Sequence, residues 1–147
     1  MMLLLIAAAV QAATPAKTVP GDTTKAPATL GPIGKQAMPA RGCAAYLWST
    51  GDRALVAMAT ADSARLRLAV DGKPVDYARV DEAGPGGYGF AGVTTYRGGD
   101  LTVALDMTIV TREDLASGAM VPNATLRLER PGRDTIVLPV AGMIGCA

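Results

Sequence analysis

Four carboxylates carry the acid–base chemistry this sequence can offer: Asp62, the adjacent Asp81 and Glu82, and Asp106. Two carboxyl groups held about 5–10 Å apart can hydrolyse a glycosidic bond, one as general acid and the other as base or nucleophile. The 147 residues contain no histidine. That removes Ser-His-Asp and Cys-His catalysis, His-ligated zinc, and the one side chain that ordinarily titrates near neutrality. Two cysteines, Cys43 and Cys146, cannot form a four-thiolate metal site either. If the chain is an enzyme, a carboxylate-dependent hydrolase of an envelope polysaccharide is the form it can take. Against that reading, Asp62, Asp81 and Glu82 fall in turn-like contexts, where acids are solvated. Asp106 lies mid-strand on a polar face, where pairing with Arg65, Arg67 or Arg127 of a neighbouring strand is its expected role. Neither Asp81-Glu82 nor Glu113-Asp114 has the alternating ligand ladder of a calcium loop. The expectation is a protein with no catalytic residue, no metal and no cofactor.

The segment Gly84-Pro85-Gly86-Gly87-Tyr88-Gly89 matches G-x-G-x-x-G letter for letter. A dinucleotide fingerprint needs a strand before these glycines and a helix after them, so that the pyrophosphate meets the helix N-terminus. Here a strand-like run follows and Pro85 interrupts the turn. The segment therefore reads as a mobile inter-strand loop. Tyr88, flanked by glycines, is the aromatic best placed to anchor a partner. Tyr88, Gly86, Gly87 and Gly89 are the expected binding residues.

These candidates sit in a chain with three compositional zones. Residues 1–12 hold the apolar run Leu3-Leu4-Leu5-Ile6-Ala7-Ala8-Ala9-Val10, closing on Val10-Gln11-Ala12 with small residues where a signal peptidase cuts. The run is about half the ~20 residues that span a bilayer, so a removed signal peptide with no integral span afterwards is expected. No Lys or Arg precedes it. Residues 13–40 hold Pro15, Pro20, Pro27, Pro32 and Pro39 among Thr, Ala and Gly, the pattern of a flexible linker. Residues 41–147 then form the domain. The whole chain has a formal net charge of +1, far from the concentrated positive field that nucleic-acid binding requires. Export to the periplasm or beyond would oxidise Cys43 and Cys146 to a disulfide, which frames the domain and joins its termini.

Within the domain the apolar period is two. Leu66, Leu68 and Val70 alternate with Arg65, Arg67 and Ala69; Leu101, Val103, Leu105, Met107 and Ile109 alternate with Thr102, Ala104, Asp106 and Thr108. Similar runs occupy 43–48, 54–60, 75–80, 90–96, 126–129 and 136–140, predicting about eight strands in an antiparallel β-sandwich or small barrel. Asp71-Gly72 signals a tight hairpin. The stretches 97–100 and 130–134 signal two more turns, and Pro139 predicts an edge strand or a bulge. One helical turn is predicted over 111–117, with Thr111 and Asp114 as a loose capping box.

A short exported all-β domain with a cysteine near each end resembles the small periplasmic lysozyme inhibitors. Those are barrels that insert a loop into the lysozyme cleft through a Ser-Gly-aromatic loop and a Trp-x-Lys-Gly segment. The nearest stretches here are Gly86-Gly87-Tyr88 and Tyr96-Arg97-Gly98-Gly99, without the serine, the tryptophan and the lysine. The resemblance implies the architecture and, as one alternative, the inhibitor activity. The residues themselves point to a non-catalytic binding or structural module of the cell envelope. Its expected partner is another envelope protein or a glycan.

Overall fold

The computed structural model describes residues 29–147. The expected signal peptide, 1–12, and the linker as far as 28 lie outside the described residues. The strands are β1 (Leu30–Gly31), β2 (Cys43–Ser49), β3 (Leu55–Thr60), β4 (Arg65–Val70), β5 (Lys73–Ala83), β6 (Val93–Gly98), β7 (Leu101–Val110), β8 (Gly118–Glu129) and β9 (Ile136–Cys146). They pair antiparallel in the order β4-β3-β2-β9-β8-β7-β6-β5, and β5 pairs back to β4. The fold is thus a closed eight-stranded barrel, with β1 added at the far end of β4. Of the two architectures the alternation allowed, the barrel forms, and closure leaves its eight strands with no free edge.

Alternation sets what fills it. Leu47, Leu66, Leu68, Tyr96, Leu101, Val103, Leu105, Val121, Leu126 and Leu128 point inward, each no more than 2% exposed. Thr102, Asp106, Thr108, Arg127 and Glu129 face out between them, half-buried or exposed. An eight-stranded barrel is just wide enough for side chains to fill, and these fill it.

The punctuation is largely where the sequence puts it. Asp71 and Gly72 both adopt positive φ, 55° and 85°, and Val70 pairs directly with Lys73 across them. Gly98 pairs with Leu101, and Leu128 with Ile136, across the next two turns. Pro139 lies one residue past the last β2–β9 pair, Ser49 with Val140, where its carbonyl accepts from the Thr50 N–H at 3.3 Å. Beside it β8 bulges, its register to β9 shifting between Val121 and Ala124.

The predicted helical turn does not form; the described residues contain no helix. Asp114 accepts two hydrogen bonds from Arg112, at 2.8 and 2.9 Å, rather than capping Thr111. Seven residues without an apolar face to bury are too few to sustain a helix.

Cys43 and Cys146 are direct cross-strand partners on β2 and β9, with their Cα atoms 4.0 Å apart in a disulfide. The bond fixes the C-terminus to the start of a strand. It does not join the two ends of the described chain, because residues 29–42 precede Cys43 and pack along the barrel.

Those residues form a strap. The stretch 29–40, expected to belong to the linker, crosses the outside of the wall. Leu30–Gly31 pairs with β4, and the Ile33 N–H donates to the Leu55 carbonyl at 2.9 Å. Ile33, 6% exposed, packs with Ala44, Met58 and Ala69 in a second small core on the outer face. The Gln36 side chain accepts from Arg67 at 2.8 Å, and the Tyr46 hydroxyl donates to the Ala37 carbonyl at 2.9 Å.

Candidate functional site

Antiparallel connection sorts the loops to two ends of the barrel. One end carries the two-residue turns at 71–72 and 99–100, and the turn after β8. The other, the disulfide end, carries the β3–β4 turn, the glycine segment after β5, the β7–β8 connection and the C-terminus. Loops on a rigid scaffold are where recognition concentrates.

The glycine segment folds back on itself instead of standing free. Gly87 and Phe90 exchange backbone hydrogen bonds of 2.9 and 3.0 Å, and the Gly92 carbonyl accepts from the Met107 N–H at 2.8 Å. A Cβ on Gly86 would lie 1.9 Å from the Phe90 carbonyl oxygen, so only glycine permits the crossing there. Phe90 is 7% exposed and joins the main core, so the segment closes the disulfide end of the barrel.

Of the four residues expected to bind, each has a definite place. Tyr88 is half-buried against the core with φ 58°, a left-handed conformation for a residue with a side chain. Gly89 sits close over Ala61 of the β3–β4 turn. Gly86 is held at the crossing. Gly87 faces open space: nothing lies within 4 Å of a Cβ placed on it. The four share one turn, and the surface they form is fixed by hydrogen bonds.

The acids do not gather around it. Asp62 stands in the β3–β4 turn, 4.0 Å from Arg41. Glu82 pairs across to the inward-facing Thr94 and forms an ion pair with Arg79 at 3.0 Å. Asp81 pairs with Thr95 on the outer face, and Asp106 faces outward on β7 with β6 between them. Asp106 makes no ion pair with Arg65, Arg67 or Arg127. β4 lies on another part of the wall, Arg67 binds Asp76, and Arg127 binds Glu129 at 2.6 Å. Asp106 instead lines a polar groove of about 350 Å³ with Thr50, Thr108, Asn123 and Thr125 beside the β8 bulge. Among the described residues no three His, Cys, Asp or Glu side chains are grouped to hold a metal.

Sequence reasoning missed a cluster at the opposite end. Arg130, its side chain 16% exposed, lies 3.4 Å from both Asp71 and Asp100, one acid from each two-residue turn. Its guanidinium ties the β4–β5 and β6–β7 turns to the end of β8 and borders a groove of about 550 Å³ with Arg97, Thr102 and Glu129. The signal was present in Asp71-Gly72 and Gly99-Asp100, since each two-residue turn places a carboxylate at its tip.

The stretches compared with the lysozyme inhibitors are also placed. Gly86-Gly87-Tyr88 lies across the barrel end, and Tyr96 is buried inside the barrel at 1% exposure, with Arg97 outside. No family model, no curated protein and no solved structure matches this chain.

Proposed function

We propose that this protein is an exported, non-catalytic binding module of the cell envelope. It meets another envelope protein or a glycan at the disulfide end of its barrel, through the turn that carries Gly86, Gly87, Tyr88 and Gly89. The observation that carries the reading is the filled interior: with the barrel packed by side chains, recognition falls to the outside and the ends. The disulfide end has the features of a recognition surface. Its loops converge, its glycine turn is hydrogen-bonded, and a half-buried tyrosine is held there in a left-handed conformation. Such a surface binds with little ordering cost. The apolar leader and the disulfide support export, because a cross-link of this kind persists in an oxidising compartment. Among the described residues no helix is long and apolar enough to cross a membrane.

Photocrosslinking in intact cells tests this. Position 87 takes the photoreactive side chain, since it has room, and exposed Arg127 on the outer wall is the control site. A discrete adduct at 87 and none at 127 is the expected result. Equal labelling at both positions, or none at 87, would sink the assignment of the surface.

A further inference from the structure

The chain has seven methionines, and five fall among the described residues. Met107 is in the core, 4% exposed, where a flexible thioether commonly fills space. The other four lie on one outer face. Met58 is beneath the strap, 8% exposed. Met120 on β8 pairs directly with Met143 on β9, and Met143 pairs directly with Tyr46 on β2. Directly paired side chains leave their strands about 4.5–5.5 Å apart.

Met38 reaches the same place from the strap. Its sulfur lies 3.6 Å from the Tyr46 hydroxyl oxygen. That sulfur also lies 3.3 Å from where a Cβ on Gly145 would stand, so the missing side chain lets it settle onto β9. Gly145 is two residues from Met143 on the same face of the strand. Three thioethers from three separate segments are therefore neighbours over β9: Met143 stands beside Met120, Met38 lies over Gly145 two residues along, and each has three rotatable bonds with which to converge. Space-filling does not account for them, since Met38 is 55% exposed and Met143 47%.

We propose that Met38, Met120 and Met143 form a thioether site for Cu(I), a soft monovalent cation. Soft sulfur donors select that ion, while calcium, magnesium and zinc prefer oxygen, nitrogen or thiolate ligands. Thioethers carry no proton, so binding does not compete with acid over the ordinary pH range. The chain offers no rival for the ion in the described residues: histidine is absent, and both cysteines are held in the disulfide. The strap supplies Met38, so the site is complete only while the strap is seated. This site lies on the outer wall over β2, β9 and β8 rather than in the glycine turn, and it does not rest on the proposed function.

The test uses the full chain labelled with ¹³C at the methionine methyls. It is titrated with Ag(I), a redox-inert stand-in, and then without oxygen with Cu(I) kept reduced by ascorbate, which leaves the disulfide intact. The expected result is that the Met38, Met120 and Met143 methyls shift together and saturate at about one ion per chain, while Met107 stays put. Zn(II) should shift none of them. Combining Met120→Leu with Met143→Leu, near-isosteric and on the outer face, should weaken binding by about tenfold or more and leave the metal-free melting temperature unchanged. The proposal is overturned if the three methyls do not respond to Ag(I) or Cu(I), if only Met1 and Met2 respond, or if the double variant binds as well as the parent.

Discussion

Arg67 and Asp76 face each other across β4 and β5, joined by two hydrogen bonds of 2.7 and 3.0 Å. The pair sits on the seam that closes the barrel, and the remaining Arg67 nitrogen holds Gln36 of the strap at 2.8 Å. One guanidinium thus ties closure to strap docking. Hydrogen bonding to Arg67 holds the Asp76 carboxyl below its usual range, against the opposing effect of burial. A carboxyl depressed in the folded state contributes stability above its unfolded pKa of about 3.9, and that contribution is lost as pH falls through the folded value. Solvent screens the pair, since the side chains are 41% and 33% exposed. Asp76→Asn should cost about 1 kcal/mol at pH 7. The gap between the urea midpoints of parent and variant should narrow steadily as pH falls from 7 to 3; an equal gap at both pH values would mean that charge is not its source.

Alkali should unfold the barrel from within. Burial pushes the Tyr96 hydroxyl up to about 12, with a hydrogen bond to Thr94 opposing the rise. The phenol is raised above its unfolded value of about 10, so its contribution is intact below that pH. It is lost as pH climbs through the folded value, because only the unfolded chain ionises easily. The slope from this one group approaches ~1.4 kcal/mol per pH unit. Tyr46 and Tyr77 are also raised by burial and add to it. With no histidine, stability should show no step between about pH 5 and 8. Urea midpoints taken from pH 7 to 11 should stay level and then fall above about 10, less steeply in Tyr96→Phe. An undiminished fall in that variant would assign the effect elsewhere.

The strap can be weighed by one residue. Ile33 is the apolar centre of the small outer core, packed with Ala44, Met58 and Ala69. Ile33→Ala removes buried methyl and methylene groups and leaves a gap that a segment tied at both ends only partly closes. The expected loss is about 2–3 kcal/mol. Hydrogen exchange locates it: the Ile33 amide, which donates to Leu55, should lose protection along with the amides at 30–31. Unchanged protection there would show that the strap is held by Arg67–Gln36 and Tyr46–Ala37 rather than by its apolar contact.

Strand positions were legible because alternation is local. Leu66 and Leu68 between arginines, and the run from Leu101 to Ile109, each fix a face without reference to the rest of the chain. Closure was not legible, since a sandwich and a barrel ask for the same alternation. The difference lies in whether β5 turns back onto β4, which rests on the pairs from Arg65–Ala78 to Val70–Lys73. The strap was hidden for another reason. Ile33 stands alone between Pro32 and Gly34, with no periodic partner, and what it packs on is 11 to 36 residues away in sequence. The glycine turn was placed correctly but read as mobile, because the mutual bonds of Gly87 and Phe90 leave no mark in composition. The methionine face follows from the β8–β9–β2 register, which sets Met120 beside Met143 and Met143 beside Tyr46, and from the strap, which lays Met38 against Tyr46 and Gly145.

The disulfide closes a separation of 103 residues, so its main effect falls on the unfolded chain. In the folded barrel its neighbourhood is held independently. The Cys146 N–H donates to the Ser117 carbonyl and the Ala147 N–H to the Gly42 carbonyl, both at 2.9 Å. Six further pairs run down β2 and β9 from Ala44–Gly145 to Ser49–Val140. Replacing both cysteines with alanine should therefore leave the fold in place and cost about 3–5 kcal/mol. The melting temperature should fall by about 10–20 °C. If the unfolded state is where the cross-link acts, its removal must also raise the denaturant m-value, because a chain freed of a loop this long exposes more surface when it unfolds. A drop in stability with an unchanged m-value would instead locate the effect in the native barrel, at the β2–β9 junction.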